Sequence, residues 1–251
     1  MAKTIVVAGK GGAGKTTAAA LIVRCLREHA AGPVLALDAD PDANLATVLG
    51  VDVEKTIGDL REETLAGVRD LPPGMSKINY IEAGLHEIVV ESDKVDLITM
   101  GRGEGPACYC YVNNLLRKFA GQLSDSYEYV VMDTEAGLEH LSRRVAPNID
   151  ALIVVVNENP LTTDCARRIV ETLPGIKASV GAAYLLLNRV RPQRIETVRQ
   201  LVADLDINYL GCVPDDPEFE QAVFDRRSIY GLADTPAVRA IDEAMNRLGV
   251  E

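Results

Sequence analysis

The chain is poor in positive charge and in aromatic side chains, and it has no tryptophan. Its 251 residues include 26 Lys and Arg against 37 Asp and Glu, which gives a formal net charge of −11. Nonspecific DNA binding and polybasic membrane anchoring both require clustered positive charge. The charge balance therefore argues against both, and we expect neither a nucleic acid nor a membrane among the partners.

Long apolar runs and a disulfide pattern are also missing. No apolar run reaches the ~18 residues of a transmembrane helix, and the first predicted strand begins at Lys3 with no cleavable apolar segment before it. Five cysteines are too few and too scattered for a disulfide framework. Together these features predict a cytoplasmic protein with reduced thiols.

What the chain does have is a regular alternation of strands and helices. Hydrophobic residues make up 47% of it. The predicted strands are near-continuous apolar runs, as in parallel strands covered on both faces, at 4–8, 34–37, 95–100, 129–132, 151–156, 183–187 and 207–213. Helices are predicted near 18–28, 110–123, 138–146, 160–173, 193–205, 216–225 and 235–248.

This alternation predicts an α/β fold, with a doubly wound, mostly parallel sheet whose ligands bind at the carboxyl ends of the strands. We expect residues 1–251 to form one domain, because no linker or composition shift divides them. Residues 52–94 are the least regular part, and an insertion or a short hairpin is expected there.

A glycine-rich loop separates the first strand from the first helix. Residues 9–17 read GKGGAGKTT, which matches the phosphate-loop pattern G-x-x-x-x-G-K-[ST] in its proper strand–loop–helix context. Backbone N–H groups and the positive end of the helix would hold the phosphates of ATP. Lys15 would reach the β- and γ-phosphates, and the Thr16 hydroxyl would bind Mg²⁺. The other predicted nucleotide contacts here are Gly11, Gly12, Ala13, Gly14 and Thr17.

Lys10 is a second lysine that an ordinary phosphate loop does not need. With it, GKGGAGKTT resembles the deviant Walker A group of P-loop ATPases, which includes the nitrogenase iron protein, septum-site and partition ATPases, and metallocentre maturation ATPases. In that group this lysine crosses a dimer interface to the partner's nucleotide. The resemblance implies a homodimer in which Lys10 stabilises charge on the transferring phosphoryl group.

Carboxylates follow two of the predicted strands. Asp40 lies in Asp38-Ala39-Asp40-Pro41, a segment that resembles the first switch of the deviant Walker A group. The resemblance implies that Asp40 orients or activates the attacking water. Asp133 follows an apolar strand and resembles the Walker B aspartate, which implies that it holds Mg²⁺ through water.

Two later residues are candidates for contact with the base. Asn188 ends a predicted strand, and in this group an asparagine there reads the adenine edge through its amide donor and acceptor. Pro214 lies in a loop that resembles the segment which closes over the base in this group. The chain has no Asn-Lys-x-Asp pattern that would select guanine, so ATP, hydrolysed to ADP and phosphate, is the expected substrate.

The most specific indication of function is the pair Cys108 and Cys110. A glycine-rich loop precedes this C-x-C and a predicted helix follows it, so the thiols are expected to ionise readily and bind borderline metals such as Zn²⁺ or Ni²⁺. Two thiolates do not complete a tetrahedral site. A second chain would complete it as an interfacial Cys₄ site. The alternative is a pair of buried or redox-active cysteines.

Four segments taken together indicate a narrower family within this group. GKGGAGKTT, DADPDANL, Cys-Tyr-Cys and DTEAGLEH look like the nickel-insertion accessory ATPases of carbon monoxide dehydrogenase and acetyl-CoA synthase, the CooC type. This implies a metallochaperone that dimerises with ATP, carries nickel or zinc between its subunits and serves one of those two client enzymes. The sequence does not distinguish the two metals or the two clients.

Other members of the wider group are the competing interpretations. A nitrogenase iron protein-like [4Fe–4S] electron-transfer ATPase remains the alternative, although Ala136 stands where its second-switch cysteine is expected. An iron–sulfur scaffold ATPase fits less well because no cysteine follows Cys212. A partition or septum-site ATPase needs basic DNA-binding residues or a terminal amphipathic membrane helix, and the end of this chain has no basic apolar face. A small-molecule kinase would give no reason for Lys10.

Overall fold

The computed structural model describes residues 2–67, 84–102, 126–135, 148–176 and 178–250. Within these ranges the strands form an eight-stranded sheet in the order β3-β4-β2-β5-β1-β6-β7-β8. Every neighbouring pair is parallel except β3 and β4. The strands are β1 (Lys3–Gly9), β2 (Val34–Ala39), β3 (Val89–Glu91), β4 (Val95–Thr99), β5 (Tyr129–Thr134), β6 (Asn148–Val156), β7 (Ser179–Asn188) and β8 (Asn208–Val213).

Helices cover both faces of this sheet. In β1, Ile5 and Val7 join one buried apolar cluster, and Val6 and Ala8 join the other, because successive strand side chains point to opposite faces. α1, α2, α6 and α7 contribute to the first cluster; α3, α4 and α5 contribute to the second. The helices are α1 (Lys15–His29), α2 (Leu45–Leu49), α3 (Ile57–Gly67), α4 (Pro160–Thr172), α5 (Ile195–Gln200), α6 (Pro217–Phe224) and α7 (Pro236–Arg247).

This arrangement confirms the predicted doubly wound, mostly parallel sheet. β1 lies at its centre, between β5 and β6, so the loop after β1 opens at the carboxyl edge where ligands bind in such folds. In the described ranges no helix is both long enough and apolar enough to cross a membrane.

Several element boundaries differ from the expected ones. β6 and β7 begin earlier, at Asn148 and Ser179, because their polar first residues extend the parallel ladder into an exposed region that hydropathy does not detect. α5 is shorter than expected and follows a 3₁₀ turn at Pro192–Arg194. β3 pairs antiparallel with β4, so the end of the irregular region at 52–94 supplies the first strand and the turn of a short hairpin. The helices predicted near 110–123 and 138–146 lie outside the described residues.

Candidate functional site

The phosphate loop sits tightly against the ends of its neighbouring strands. At Gly9 (φ +149°) an added Cβ would lie 2.6 Å from the carbonyl oxygen of Val155 in β6. At Gly14 (φ +96°) it would lie 1.8 Å from Nδ2 of Asn188. Both positions therefore require glycine, for space as well as for backbone conformation.

Side chains at the carboxyl ends of β6 and β7 hold the loop by its carbonyl groups. Asn188 donates from Nδ2 to the carbonyl of Ala13 at 3.0 Å, and Asn157 donates to that of Gly12 at 3.2 Å. Within the loop, the Ala13 N–H donates to the Lys10 carbonyl at 3.1 Å. Gly11 and Gly12 remain exposed at the tip. The loop is thus fixed from the sheet side while its tip faces solvent.

Thr16 and Asp133 meet below the loop, as the predicted magnesium site requires. The Thr16 hydroxyl donates to Oδ2 of Asp133 at 2.6 Å. Asp133 is only 1% exposed, and its Oδ1 is buried with no hydrogen-bond partner in the described structure. A hydroxyl beside an unsatisfied carboxylate oxygen is a donor set that suits Mg²⁺ and its bound water, so these residues fit the ion.

The same burial changes the acidity of Asp133. Loss of hydration raises the pKa of this carboxyl to about 6, against the opposing hydrogen bond from Thr16 and the charge of Lys15. Lys15 lies in the first turn of α1 and is 7% exposed. Its charge is therefore directed into the site.

Asp38 is a further buried carboxylate that organises the next loop. It pairs with Asp133 across the β2–β5 ladder and accepts hydrogen bonds from the N–H groups of Leu45 at 2.8 Å and Asp40 at 3.2 Å. Burial raises the pKa of Asp38 to about 7, helped by the neighbouring charge of Asp133. Asp38 thus supports the loop that carries Asp40.

Asp40 itself is half-buried beside these two acids, and its charge raises the pKa of both. Its carboxylate accepts from the Asp42 N–H at 2.9 Å, and its carbonyl accepts from the Ala43 N–H at 3.0 Å. The structure therefore brings Asp40, Thr16 and Asp133 to one place. Whether Lys10 acts across an interface stays a prediction.

A cleft of about 310 Å³ opens beside the phosphate loop. It unites three residues predicted separately from the sequence, Thr17, Asn188 and Pro214. Asn188 is 2% exposed, and its bond to Ala13 leaves one amide hydrogen and the oxygen Oδ1 unused by that contact. The volume suits a small organic ligand. Its lining also includes Arg189, Asp216, Phe219 and Phe224, which the sequence did not single out as site residues.

Asp216 shows how the far wall of the cleft is held. Its Oδ1 accepts from the N–H groups of Glu218 and Phe219, both at 3.1 Å, and so caps α6. Its Oδ2 accepts from the N–H of Ala237 at 2.9 Å, at the start of α7. One carboxylate therefore joins two helix N-termini. The Asp-Pro step before a helical run is the sequence signal for this cap.

The predicted metal ligands Cys108 and Cys110 lie outside the described residues, so the interfacial metal site stays a prediction. Of the cysteines that the structure describes, Cys25 and Cys165 are buried free thiols, and Cys212 is partly buried.

The family model described as "CobQ/CobB/MinD/ParA nucleotide binding domain" matches residues 4–229. The chain belongs to this family. It is therefore a nucleotide-binding P-loop protein of the MinD/ParA type, as the deviant Walker A resemblance indicated.

Two curated relatives and one solved structure are informative. The chain is 41% identical over 227 residues to an uncharacterized ATP-binding protein of Methanocaldococcus jannaschii, covering 90% of this chain and 88% of that protein. It is 30% identical over 249 residues to the carbon monoxide dehydrogenase accessory protein CooC of Rhodospirillum rubrum, covering 94% and 91%. The septum site-determining protein MinD of Pyrococcus horikoshii, solved with Mg-ADP, has a TM-score of 0.69 at 23% identity, covering 99% and 96%.

Proposed function

We propose that this protein is an ATP-hydrolysing metallochaperone that dimerises with nucleotide and assists nickel insertion into carbon monoxide dehydrogenase or acetyl-CoA synthase. The observation that carries the proposal is the 30% identity to CooC over 94% of the chain, in a sequence that also has the C-x-C pair Cys108 and Cys110. The hydrogen bond between Thr16 and Asp133, beside the Oδ1 of Asp133 that has no partner among the described residues, supports the binding of Mg²⁺ and ATP in this proposal.

At the phosphates, Lys15 binds the β- and γ-phosphoryl oxygens of ATP. Thr16 and Asp133 hold Mg²⁺, which neutralises charge on the phosphates when bound. Asp40 lies beside this centre and orients the attacking water through its carboxylate. The loop hydrogen bonds of Asp38 keep Asp40 in place, so Asp38 acts as a positioning residue.

Lys10 links nucleotide binding to dimerisation in this proposal. Its carbonyl is fixed by the Ala13 N–H, so its side chain leaves a defined point of the phosphate loop. In a two-fold dimer each Lys10 reaches the nucleotide of the other subunit and stabilises charge on the transferring phosphoryl group. ATP then favours the closed dimer.

In this proposal, β4 and the residues after it couple the nucleotide state to the loop that carries Cys108 and Cys110. The Met100 N–H donates to the Asp38 carbonyl at 2.8 Å, next to the Asp40 loop. Arg102 then forms an ion pair with Asp42. The chain that leads to Cys108 is therefore tied to the proposed water-positioning loop at two points. A change in that loop on hydrolysis would be transmitted to a nickel or zinc cargo held by Cys108 and Cys110 of both subunits.

The decisive experiment measures metal content and molar mass of the purified full-length protein, with and without Mg-ATP. We expect about one nickel or zinc per two chains, and a dimer with Mg-ATP. Lys10→Ala should still bind ATP but lose ATP-driven dimerisation, whereas Lys94→Ala, an exposed lysine away from the site, should behave as the wild type. Cys108→Ala should lose the shared metal and keep nucleotide binding.

Different failures point to different conclusions. A brown protein with iron and acid-labile sulfide would favour the [4Fe–4S] electron-transfer ATPase instead. Hydrolysis of ATP by a protein that never binds metal stoichiometrically would contradict the metallochaperone role and leave an ATPase of the MinD/ParA type. Unchanged dimerisation of Lys10→Ala would contradict the role of this lysine across the interface.

A further inference from the structure

A second group of metal-ligand side chains lies between α1 and α7. Cys25 and His29 are four residues apart on α1 and so share one face of the helix. Asp242 approaches them from α7. The sulfur, a ring nitrogen and a carboxylate oxygen all lie within 4.8 Å of one another. In the part of the chain that the structure describes, this is the one such group of three.

The surroundings of Asp242 leave this group incomplete. Its Oδ1 is buried and has no hydrogen-bond partner in the described structure. A buried carboxylate oxygen without a partner is costly. The Cys25 side chain is 2% exposed and lies beside Asp242. Burial raises the pKa of this thiol, so without a cation its proton stays on sulfur.

We propose that Cys25, His29 and Asp242 form an intrachain site for one borderline divalent cation of the zinc class. Thiolate, imidazole and carboxylate together are a ligand set that suits Zn²⁺ and its chemical neighbours. On binding, the cation takes the place of the thiol proton, which is released to solvent. The unsatisfied Oδ1 of Asp242 gains a partner at the same step.

The geometry allows this with a small movement. Ligand atoms of a tetrahedral zinc site lie about 2.0–2.3 Å from the metal, so they are closer together than the present upper limit of 4.8 Å. His29 is exposed at the end of α1 and free of the core, which lets its ring turn inward. Three protein ligands then leave a fourth position open to water on the exposed side.

This site is independent of the proposed nickel cargo. It lies within one subunit, whereas the cargo site needs two. It also joins later turns of two helices whose first turns border the nucleotide cleft, since Thr17 of α1 and Ala237 of α7 both line that cleft. Cys25 and His29 lie further along α1 than Thr17, so the two sites are about 12 to 18 Å apart along this helix at about 1.5 Å per residue. A cation here would clamp α1 to α7 without contacting the nucleotide.

The test uses the full chain with Cys108→Ser and Cys110→Ser combined, so that any metal retained cannot belong to the C-x-C pair. The probe is Co²⁺, whose bond to a thiolate gives a charge-transfer absorption, followed by displacement with Zn²⁺. We expect one cobalt per chain with that absorption, and an unfolding midpoint that rises with added Zn²⁺. The absence of stoichiometric cobalt in this double variant would overturn the proposal.

Two further replacements separate coordination from simple packing. His29→Gln changes an exposed residue, so the fold should survive. Cobalt affinity should fall by more than about ten-fold, since even groups that only support a ligand contribute about that much. Cys25→Ser should remove the sulfur-dependent absorption. Matched controls are His86→Gln, another exposed histidine, and Cys165→Ser, another buried thiol. Unchanged affinity in His29→Gln would contradict the site even if Cys25→Ser failed to fold.

Discussion

The two sides of the proposed nucleotide site are built in opposite ways. The phosphate side gathers buried charge and hydroxyl groups, with Thr16, Asp133 and Asp38 near the ends of three central elements. The proposed base side is a mostly apolar cleft walled by α6, and the cleft residue Phe224 is 83% exposed. The first side is polar and mostly buried, whereas the second is open and lined mainly by side chains from the second half of the chain.

This difference separates two kinds of binding energy. Fixed charges beside a buried carboxylate act strongly and depend on geometry and pH. Apolar and aromatic walls act through contact area, and they tolerate change. The phosphate side should therefore control hydrolysis, and the base side should adjust affinity. Three predictions test this division, beginning with the largest expected effect.

Asp133→Asn should affect the phosphate side most severely. The amide keeps the size of the carboxylate but removes the charge that faces Mg²⁺. We expect ATP hydrolysis to fall by about 100- to 1000-fold, the usual effect of removing one preorganised group at a centre of developing charge. Asp96→Asn is the control, because Asp96 is a partly buried acid near the start of β4, where it accepts from Tyr127. Steady-state hydrolysis measures both variants, and equal losses would contradict the assigned role.

The pH dependence of stability should also belong to the phosphate side. Burial raises the pKa of Asp38 to about 7 and that of Asp133 to about 6, whereas unfolded aspartate titrates near about 3.9. The folded state therefore holds protons that the unfolded state releases. Without Mg²⁺, the contribution of these two groups to the free energy of unfolding should be greatest below about pH 4 and fall as pH rises towards about 7, by up to about 1.4 kcal/mol per pH unit for each group.

Denaturant unfolding between pH 4 and 8 measures this slope. Asp38→Asn should flatten it, and Phe224→Ala should leave it unchanged, since no carboxylate of raised pKa is involved at that position. A slope that persists in Asp38→Asn and in saturating Mg²⁺ would show that other groups are responsible.

Phe224→Ala should have the smallest effect, and on affinity alone. An aromatic contact with the base is worth about 1 kcal/mol, so the Kd for ATP should rise about five-fold. Stability should hardly change, because the side chain is exposed in the free protein. Leu201→Ala, an exposed apolar residue away from the cleft, is the matched control. Titration calorimetry compares them, and a change in the hydrolysis rate at saturating ATP would break the proposed division.

Much of the fold could be predicted from the sequence because buried parallel strands are apolar along their whole length. Residues 151–156 and 183–187 stood out for that reason, whereas the polar starts of β6 and β7 did not. β3 was missed as a strand because Val89–Glu91 is short and only half-buried. Its pairing with β4 depends on a turn at 92–94 that includes Lys94 in the left-handed region (φ +64°).

The site could be predicted where local sequence fixes its chemistry. The phosphate loop follows β1 and Asp133 lies near the end of β5, so motif and position coincide. Arg189, Phe219 and Phe224 could not be identified, because an apolar wall carries no motif and depends on where α6 packs. The close fit of Gly14 against Asn188 likewise joins residues far apart in the chain. Cys25, His29 and Asp242 meet only because α1 packs against α7.

The position of β1 in the sheet has a consequence for biosynthesis. Ile5 pairs with Val131 on one side and with Ala151 on the other, so both neighbours of β1 come from the second half of the chain. A ribosome that adds about 5–20 residues per second leaves the edges of β1 open for many seconds. During that time the strand is vulnerable to mispairing. The phosphate loop is therefore synthesised early, but the strand ends against which it packs are not made until most of the protein has been synthesised.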